Sequence, residues 1–381
     1  MADLLVRGAR LLLAPIEEGD CLVRGGQIAA LGQVPPSTVP PNCPVLDAAG
    51  RYLAPGFIDM HVHGGGGADF MDANPEAIRT ITTFHAAHGT TTLLAAIIPA
   101  PMDRMRQAMT AVAEVMEAEI AGLYLEGPFV SRAKKGAFNP RWLRSPSTGS
   151  FRKLVEEHQN LVKVVTFAPE RPKADQVLTN ILAIGAVPAI GHTAATYEQT
   201  MDALAHGARH FTHLGNAMSD LHHREPGAVG AALDSDAYVE LICDGIHLHP
   251  AFVRLVANVK GYDRICLITD AISAAGLPDG QFTLGDLPVV VRQGIARLFD
   301  GTLAGSTLTM DRAVKNFMEF TGCSLPEAVR CATLNPARLL GINDRKGGLA
   351  VGKDADLVIF DENFTVHYTI VGGKIVYTRK N

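Results

Sequence analysis

Hydrophobic residues in the middle of the chain fall into short runs separated by segments that fit helices. Eight such runs lie near residues 56–63, 91–99, 121–129, 162–170, 187–193, 208–216, 239–247 and 264–271. Residues 75–89, 102–119 and 249–261 are examples of the helical segments, and several of these end in a glycine suited to a left-handed C-terminal cap. Runs that are apolar on both faces favour parallel strands covered by helices. Eight repeats of this length therefore predict a (β/α)8 barrel rather than an open sheet.

The two ends of the chain have a different pattern. The N-terminal segment holds short apolar stretches divided by turns, and the C-terminal segment has alternating positions around a hairpin signal at Gly372 and Gly373. Each end is too short to bury a core alone, so we expect the two to pair in one small β-sandwich. The predicted α/β fold places residues 1–50 and 343–381 in this small domain and residues 51–342 in the barrel.

Composition excludes several classes of protein. The chain of 381 residues is 47% hydrophobic and only 19% charged, which excludes disorder and predicts a large buried core. The net charge is -5 and no run of Lys or Arg occurs, which argues against a nucleic-acid partner. No uncharged apolar run approaches the ~18 residues of a membrane helix. Asp3, Arg7 and Arg10 interrupt the first apolar residues, so no signal peptide is predicted and we expect a cytoplasmic protein.

Residues that can bind metal ions stand at the ends of several predicted strands. His61 and His63 are two positions apart, so their side chains point to the same side of a strand. Glu126, His192 and His213 end three other strands, and a barrel builds its site at these carboxyl ends. Three histidine or carboxylate ligands plus a water position are typical of a catalytic zinc site. The alternative, ordinary core or capping residues, requires a coincidence at every one of these positions.

Asp270 ends the eighth predicted strand, in the segment LITDA. A carboxylate beside a metal-activated water can take the water's proton and later return it to a leaving amine. A turn cap is the alternative role for an isolated aspartate. Together with the candidate ligands, Asp270 predicts metal-assisted hydrolysis. Imidazole and carboxylate ligands suit Zn, Fe, Co or Mn alike, so we expect one or two divalent ions per chain, with Zn as the first choice.

These segments resemble the amidohydrolase superfamily, and within it the N-acetylglucosamine-6-phosphate deacetylase family. The resemblance covers essentially the whole chain, through the segments PGFIDMHVHGGGGADFMDA, LEGPF, GHT, THLGNAM, REPG, DGIHLHP, LITDA, LAGSTLTM, ATLNPARLLG, GKDADLVIFD and GGKIVY. It implies a barrel with a terminal β-sandwich and hydrolysis of the N-acetyl group of N-acetylglucosamine 6-phosphate in amino-sugar catabolism. N-acetylgalactosamine 6-phosphate is an alternative substrate, and a non-enzymatic scaffold is an alternative of another class.

The resemblance also implies roles for individual residues. Glu126, His192 and His213 would bind the main metal, His61 and His63 would hold a second, and Asp270 would act as general base and then acid. The substrate contacts that it implies are Asn216, Ala217, Arg224, His247, Ala137 and Leu303. Arg224 and His247 would clamp the phosphate. Some family members take phosphate contacts from a neighbouring subunit, so we expect a homodimer and leave open which chain supplies these two residues.

One position departs from the family pattern. The family usually has a histidine after Lys-Gly-Ala or Lys-Gly-Thr, whereas Lys135, Gly136 and Ala137 are followed here by Phe138. Losing one donor to the amide carbonyl typically costs ~3 kcal/mol of transition-state stabilisation, or roughly a hundredfold in rate. Three explanations stay open: a second metal polarises the carbonyl, Asn139 or Lys135 replaces the histidine, or the substrate differs.

The fourth predicted strand separates this branch from other amidohydrolases. Hydantoinase-like and dihydroorotase-like enzymes often bridge two metals with a carbamylated lysine at the end of that strand. Here the strand ends in TFAPE with Glu170, and a carboxylate on the third strand is available instead. This difference favours the deacetylase branch.

Overall fold

The centre of the molecule is an eight-stranded parallel sheet in which neighbouring strands follow the order of the chain. The computed structural model describes residues 3–115 and 119–380. Residues 1, 2 and 381 of the predicted small domain and residues 116–118 of a predicted helix lie outside the described residues. The barrel strands are β1 Phe57–Val62, β2 Thr90–Ile97, β3 Ile120–Leu125, β4 Val162–Phe167, β5 Val187–Ile190, β6 His210–Phe211, β7 Tyr238–Leu241 and β8 Ile265–Leu267.

The sheet closes into a barrel just beyond the ends of β1 and β8. The backbone N–H of Asp270 donates to the carbonyl oxygen of His61 at 2.9 Å, and the N–H of His63 donates to the carbonyl oxygen of Ala271 at 2.9 Å. Val62 and Ala271 also form a parallel bridge. The predicted (β/α)8 barrel is confirmed. Its closure brings the predicted site residues His61, His63 and Asp270 together.

A helix follows each barrel strand, and the helices predicted within residues 75–89, 102–119 and 249–261 are confirmed. The α1 helix starts after Asn74, whose side-chain oxygen accepts a hydrogen bond from the N–H of Ala77 at 2.9 Å. After it, Gly89 adopts a φ of 83°, which turns the chain into β2. The helices are α1 Pro75–Ala86, α2 Met102–Val115, α3 Thr148–Val155, α4 Ala174–Ala183, α5 Tyr197–Ala205, α6 Gly227–Leu233, α7 Pro250–Lys260, α8 Met310–Thr321, α9 Leu325–Cys331 and α10 Leu334–Leu339.

The barrel strands are covered on both faces, which explains the low fraction of charged residues. Every residue of β1 and β2 is buried, because helices cover the outer face and side chains fill the interior. The interior also holds three hydroxyl groups that satisfy one another. The Thr212 hydroxyl lies 2.9 Å from that of Tyr124 and 2.8 Å from that of Thr166. No described helix is long and apolar enough to cross a membrane.

Both chain termini contribute to one eight-stranded sheet outside the barrel, as predicted for the terminal β-rich domain. Its strands are Leu4–Leu11, Glu17–Arg24, Gln27–Gly32, Val45–Asp47, Tyr52–Pro55, Leu357–Phe360, Val366–Val371 and Lys374–Thr378. Side chains from both ends of the chain, including Val6, Leu53 and Ile370, form a separate buried core. Because Tyr52–Pro55 belongs to this sheet, the chain enters the barrel slightly after residue 50; the domain boundaries as such stay a prediction.

A small antiparallel sheet between β8 and α8 has no counterpart in the sequence prediction. Its strands are Gly280–Leu284, Leu287–Arg292 and Ile295–Arg297. Exposed and more buried positions alternate along these strands, and none of them has the continuous apolar run of a buried barrel strand. Because the barrel strands were predicted from such runs, the same pattern did not predict this sheet. This sheet matters for the site because Leu284 and Arg297 line the cavity at the barrel mouth.

Candidate metal centre

Glu126, His192 and His213 meet at the carboxyl ends of β3, β5 and β6. The Glu126 Oε1 atom lies 3.0 Å from His192 Nε2 and 2.9 Å from His213 Nε2, and the two imidazole nitrogens are 3.1 Å apart. Ligand atoms of a tetrahedral zinc ion stand about 3.4 Å apart when the bonds are ~2.1 Å. The triangle is thus close to the size that one metal ion requires.

A second group of possible ligands consists of His61, His63 and Asp270. Asp270 Oδ1 lies 2.9 Å from His63 Nε2 and 3.8 Å from His61 Nε2. The other oxygen of Glu126, Oε2, lies 3.5 Å from His61 Nε2 and 3.3 Å from His63 Nε2. Glu126 therefore offers one oxygen to each group, which is the arrangement of a carboxylate shared by two sites.

Three of these side chains are held by an unusual backbone conformation. His192, His213 and Asp270 have φ values of 46°, 28° and 50°, in the left-handed region that non-glycine residues rarely adopt. Such strain costs of order 1–3 kcal/mol per residue and persists where the surrounding structure enforces it, most often at functional sites. Each of the three lies two or three residues beyond the end of a barrel strand, so the strained turn directs its side chain into the barrel mouth.

Hydrogen bonds on the far side of two imidazoles fix which nitrogen can bind a metal. His192 Nδ1 lies 2.9 Å from the carbonyl oxygen of Lys134, and His61 Nδ1 lies 3.1 Å from Glu240 Oε2. Both partners only accept hydrogen bonds, so each Nδ1 carries the proton. The lone pair is then on Nε2, which in both rings faces the ligand groups.

The site is buried, and its carboxylates are kept ionised by the imidazoles beside them. Burial opposes the charged form of each group, but His61, His192 and His213 hold the pKa of Glu126 well below its usual value. Burial likewise disfavours the charged form of His63, but hydrogen bonds to Asp270 and Glu126 raise its pKa to about 9. Ionised carboxylates this deep require positive charge beside them.

Buried atoms without partners complete the test of whether a metal fits. His61 Nε2 is buried and makes no hydrogen bond within the described residues, although it faces both carboxylates. A nitrogen lone pair facing two anionic oxygens is unfavourable, and either a proton or a metal cation between them relieves the repulsion. The donor set of imidazole nitrogens and carboxylate oxygens suits a divalent transition metal. These residues therefore fit the predicted metal.

A cavity of about 680 Å³ opens over the two ligand groups, within the range of ~300–1,000 Å³ that is common for small-molecule sites. Five of the predicted substrate contacts line it, namely Asn216, Ala217, His247, Ala137 and Leu303. Arg224 is not among the lining residues; it is exposed, and its guanidinium donates to His223 Nε2 at 2.6 Å. The structure thus brings together every predicted site residue except Arg224.

The cavity also contains polar residues that the sequence analysis did not select as site residues. These are Lys134, Lys135, Arg297, Asp300 and Thr302. The sequence analysis considered Lys135 only as a possible replacement for the histidine that the family usually has at the position of Phe138. Arg297 and Asp300 belong to the small antiparallel sheet and the turn after it, for which the sequence predicted no structure. With His247, the two lysines and Arg297 give the cavity four basic side chains besides the histidines of the ligand groups.

Phe138 occupies a position next to the first ligand group. Its ring is buried and lies 4.4 Å from the His192 ring, measured between centroids. The Asn139 amide donates to Asp286 Oδ2 at 2.9 Å, and Asn139 does not line the cavity. Asn139 is therefore not placed to replace the family histidine. Lys135 lines the cavity, so it and a bound metal are the two remaining candidates for polarising a carbonyl.

The end of β4 contributes no metal ligand. Glu170, which follows β4, accepts hydrogen bonds from the Thr193 hydroxyl at 2.5 Å and from the backbone N–H of Ala194 at 2.8 Å. It belongs to neither ligand group. The carboxylate shared by the two groups comes from β3, as expected for the branch that lacks a bridging lysine.

Comparison with known proteins agrees with this geometry. The amidohydrolase family model matches residues 52–376, and the chain belongs to that family. N-acetylglucosamine-6-phosphate deacetylase of Bacillus subtilis (strain 168) is 39% identical over 374 residues, which cover 96% of this chain and 94% of that protein. N-acetylgalactosamine-6-phosphate deacetylase of Escherichia coli O157:H7 is 37% identical over 379 residues, covering 97% of this chain and 98% of the relative.

A solved structure extends the similarity to three dimensions. The crystal structure of N-acetylglucosamine-6-phosphate deacetylase from Pasteurella multocida has a TM-score of 0.93 and 32% sequence identity, over 99% of this chain and 100% of that one. The protein is therefore a hydrolase of the amidohydrolase family whose likeness to deacetylases of amino-sugar phosphates runs along its whole length.

Proposed function

We propose that the protein hydrolyses the N-acetyl group of N-acetyl-D-glucosamine 6-phosphate and releases D-glucosamine 6-phosphate and acetate, a step of amino-sugar catabolism. The observation that carries this proposal is Glu126, which stands between two ligand groups with Asp270 beside them at the floor of one cavity. The names of the full-length relatives supply the substrate class. A non-enzymatic scaffold is disfavoured because every ligand position and Asp270 are retained.

Asp270 is the residue that moves the proton. Burial disfavours its charged form, but the hydrogen bond from His63 and the charges of His61 and His63 lower its pKa, so the carboxylate is ionised near neutral pH. It lines the cavity, where it can take a proton from water and then give it to the nitrogen of the leaving amine.

Glu126, His192 and His213 would hold the main metal ion, and His61, His63 and Asp270 a second one. A bound divalent ion lowers the pKa of water and polarises an amide carbonyl. We assign Zn first, with Fe, Co or Mn as alternatives, since the imidazole and carboxylate donors accept all four. With a metal polarising the carbonyl, the position of Phe138 does not have to supply a hydrogen-bond donor, and its ring forms an apolar wall beside His192.

The phosphate would be held at the basic part of the cavity. His247 Nδ1 is 2.7 Å from Asp244 Oδ2, and in the imidazolium form, paired with that carboxylate, the ring can donate from Nε2 to an anion in the cavity. Asn216 and Ala217 would add contacts from the segment after His213. Because Arg224 lies outside this chain's cavity, we infer that it reaches the phosphate of a second subunit and that the protein is a homodimer.

We place this activity in the cytoplasm. A sugar phosphate carries a charge that keeps it from crossing a bilayer. All six cysteines are free, five of them buried, which suits a reducing compartment.

A second substrate is favoured by a specific comparison. The relative from Escherichia coli O157:H7 is named for N-acetylgalactosamine 6-phosphate and is nearly as similar as the first relative. The two sugars differ in the configuration of one hydroxyl, and a site without a matched partner for that hydroxyl discriminates weakly. Turnover of both sugars is therefore compatible with this site.

Substrate comparison tests the proposal. Acetate release should be measured with N-acetylglucosamine 6-phosphate, N-acetylgalactosamine 6-phosphate and N-acetylglucosamine without phosphate. We expect the first to have the highest kcat/KM and the unphosphorylated sugar to be slower by at least about tenfold, because charge-assisted hydrogen bonds to the phosphate are lost. Equal rates with and without phosphate would contradict the assigned substrate class, and a preference for the galactosamine epimer would replace the first substrate by the second.

A further inference from the structure

Glu240 lies on β7, below the two ligand groups, and has no exposed surface. Its Oε2 atom is 3.1 Å from His61 Nδ1 and accepts the backbone N–H of His213 at 2.9 Å. Its Oε1 atom is 2.8 Å from His210 Nε2. One carboxylate oxygen therefore holds a residue of each ligand group, although Glu240 itself belongs to neither group.

Glu126 contacts the same two histidines from the opposite side. It lies 2.9 Å from His213 Nε2 and 3.5 Å from His61 Nε2. His61 consequently lies between two carboxylates, with Glu240 hydrogen-bonded at Nδ1 and Glu126 facing Nε2. For His213, Glu240 holds the backbone and Glu126 faces the ring. Both ligand groups thus contact Glu126 at the barrel mouth and Glu240 beneath it.

The contact with the backbone of His213 is significant because that residue is strained. His213 has a φ of 28°, which an L-amino acid adopts only when its surroundings enforce it. The hydrogen bond from its N–H to Glu240 is one of the forces that hold this turn. For His61 the same oxygen fixes the tautomer and the ring orientation, which leaves Nε2 as the metal-binding atom.

A buried charge of this kind is difficult to explain as packing. Burial alone would disfavour the ionised form of Glu240, and an apolar side chain of similar volume would fill the space at a lower desolvation cost. Its three contacts with His61, His210 and His213 are directional, and each satisfies a polar atom of the barrel interior. These contacts give the carboxylate a role that an apolar residue cannot take.

We propose that Glu240 is a positioning residue that sets both metal groups at once, through the ring of His61 and the backbone of His213. The inference deepens the proposed function and rests on it only for the presence of metal, since it concerns binding of the ions and not the identity of the substrate. It predicts that loss of the Glu240 charge weakens metal binding at both groups together.

Metal binding by Glu240→Gln tests this directly, with Zn as the probe. The apparent affinity should be determined by competition with a chromophoric chelator, together with metal content after dialysis. We expect both equivalents to bind about 10–100-fold more weakly than in the wild type, the usual effect of removing a partner of a ligating histidine. The result does not depend on deacetylase activity, so a wrong substrate assignment would leave it unchanged.

Asp356→Asn is the matched control. Asp356 is another buried carboxylate; it pairs with Lys346, accepts the N–H of Gly372 at 2.8 Å, directly precedes the terminal-sheet strand Leu357–Phe360 and belongs to neither ligand group. We expect this variant to lower the melting temperature and leave Zn affinity unchanged. If Glu240→Gln behaves in the same way, with reduced stability and wild-type affinity, the positioning role is overturned. Weakening at one group alone would overturn the shared role.

Glu240→Asp covers the case in which the glutamine variant does not fold. Aspartate keeps the charge but withdraws the oxygens by one methylene, which lengthens the contacts to His61 and His213. We expect a folded protein whose Zn affinity is reduced at both groups, and whose Co²⁺-substituted form has a visible spectrum shifted from that of the wild type. A folded Glu240→Asp protein with wild-type affinity and an unchanged Co²⁺ spectrum would overturn the proposal.

Discussion

Asp270 combines two roles within one side chain. Its backbone N–H donates to the His61 carbonyl and so helps to close the barrel, while its carboxylate oxygen Oδ1 lies 2.9 Å from His63 Nε2 and lines the cavity. Only the carboxylate is needed for proton transfer. A substitution that keeps the shape and removes the charge therefore separates the two roles.

Asp270→Asn should retain metal bound by Glu126, His192 and His213 and lose turnover. An amide cannot take a proton from water, and general acid–base catalysis contributes about 10²–10⁴-fold to rate. We expect kcat for acetate release to fall by that range, with metal at the first group retained by elemental analysis. Turnover close to wild type in this variant would remove Asp270 from the proton-transfer role.

Phe138→Leu should have a small effect on catalysis. The ring packs against His192 but offers no hydrogen-bond donor, so the loss of roughly a hundredfold that follows removal of a donor is not expected. We expect kcat/KM to stay within about tenfold and stability to fall by about 1 kcal/mol. Phe151→Leu, at a buried aromatic position in α3, is the control for the change in packing. A hundredfold loss of kcat/KM confined to Phe138→Leu would assign the ring a direct part in catalysis.

At the scale of elements, the strands and helices of the barrel could be predicted because short apolar runs alternate regularly with helical segments along the chain. The ends of those strands could be predicted as well, since polar residues such as His192 and Asp270 interrupt an otherwise apolar pattern. Glu240 lies inside the short strand Tyr238–Leu241, where a single acidic residue has no pattern that separates a buried position from an exposed one. Arg297 was missed because the small sheet that carries it lacks an apolar run.

Gly191 shows how tightly the end of β5 is packed. A Cβ at this position would meet Thr212 Cβ at 2.6 Å and Thr166 Cγ2 at 2.8 Å, so a side chain would push the following residue, His192, away from its partners. We expect Gly191→Ala to weaken Zn binding by at least about tenfold, the effect expected when a ligand is misoriented.

Gly149→Ala is the matched control for Gly191→Ala. A Cβ at Gly149 in α3 meets nothing within 4 Å, and alanine favours a helix over glycine by roughly 0.5–1 kcal/mol. We expect this variant to bind Zn as the wild type does, with equal or slightly higher stability. Unchanged Zn affinity in Gly191→Ala would show that the end of β5 adapts to the added methyl group.

At the scale of the whole molecule, a single chain brings together the metal ligands, Asp270 and most of the predicted substrate contacts. The metal ligands and Asp270 could be predicted because the carboxyl ends of all barrel strands meet at one face, whereas the substrate contacts were implied only by the resemblance to the family. Arg224 could not be placed from the sequence, since a single arginine in a loop has no pattern that separates a site residue from a solvated charge. Its exposed position outside the cavity is consistent with a role across a subunit interface.

Mixing two inactive variants tests this arrangement. Asp270→Asn subunits lack the proton-transfer residue, and Arg224→Ala subunits lack the guanidinium that would reach the partner's phosphate. After subunit exchange, heterodimers should contain one complete site, so an equal mixture should recover about a quarter of wild-type activity at low substrate. Each homodimer measured alone is the control. Absence of recovery in a mixture shown to contain heterodimers would place Arg224 in its own chain's site or remove it from the site.

Metal content and acetate release, followed together as metal is returned to the metal-free protein, test the central claim most directly. With N-acetylglucosamine 6-phosphate as substrate, we predict no acetate release without metal and a rise that stops at about two equivalents per chain. A variant with both His61→Ala and His63→Ala should bind about one equivalent. One equivalent in both proteins would make that pair structural. Failure to release acetate at any metal content would contradict the account of this protein as a metal-dependent deacetylase.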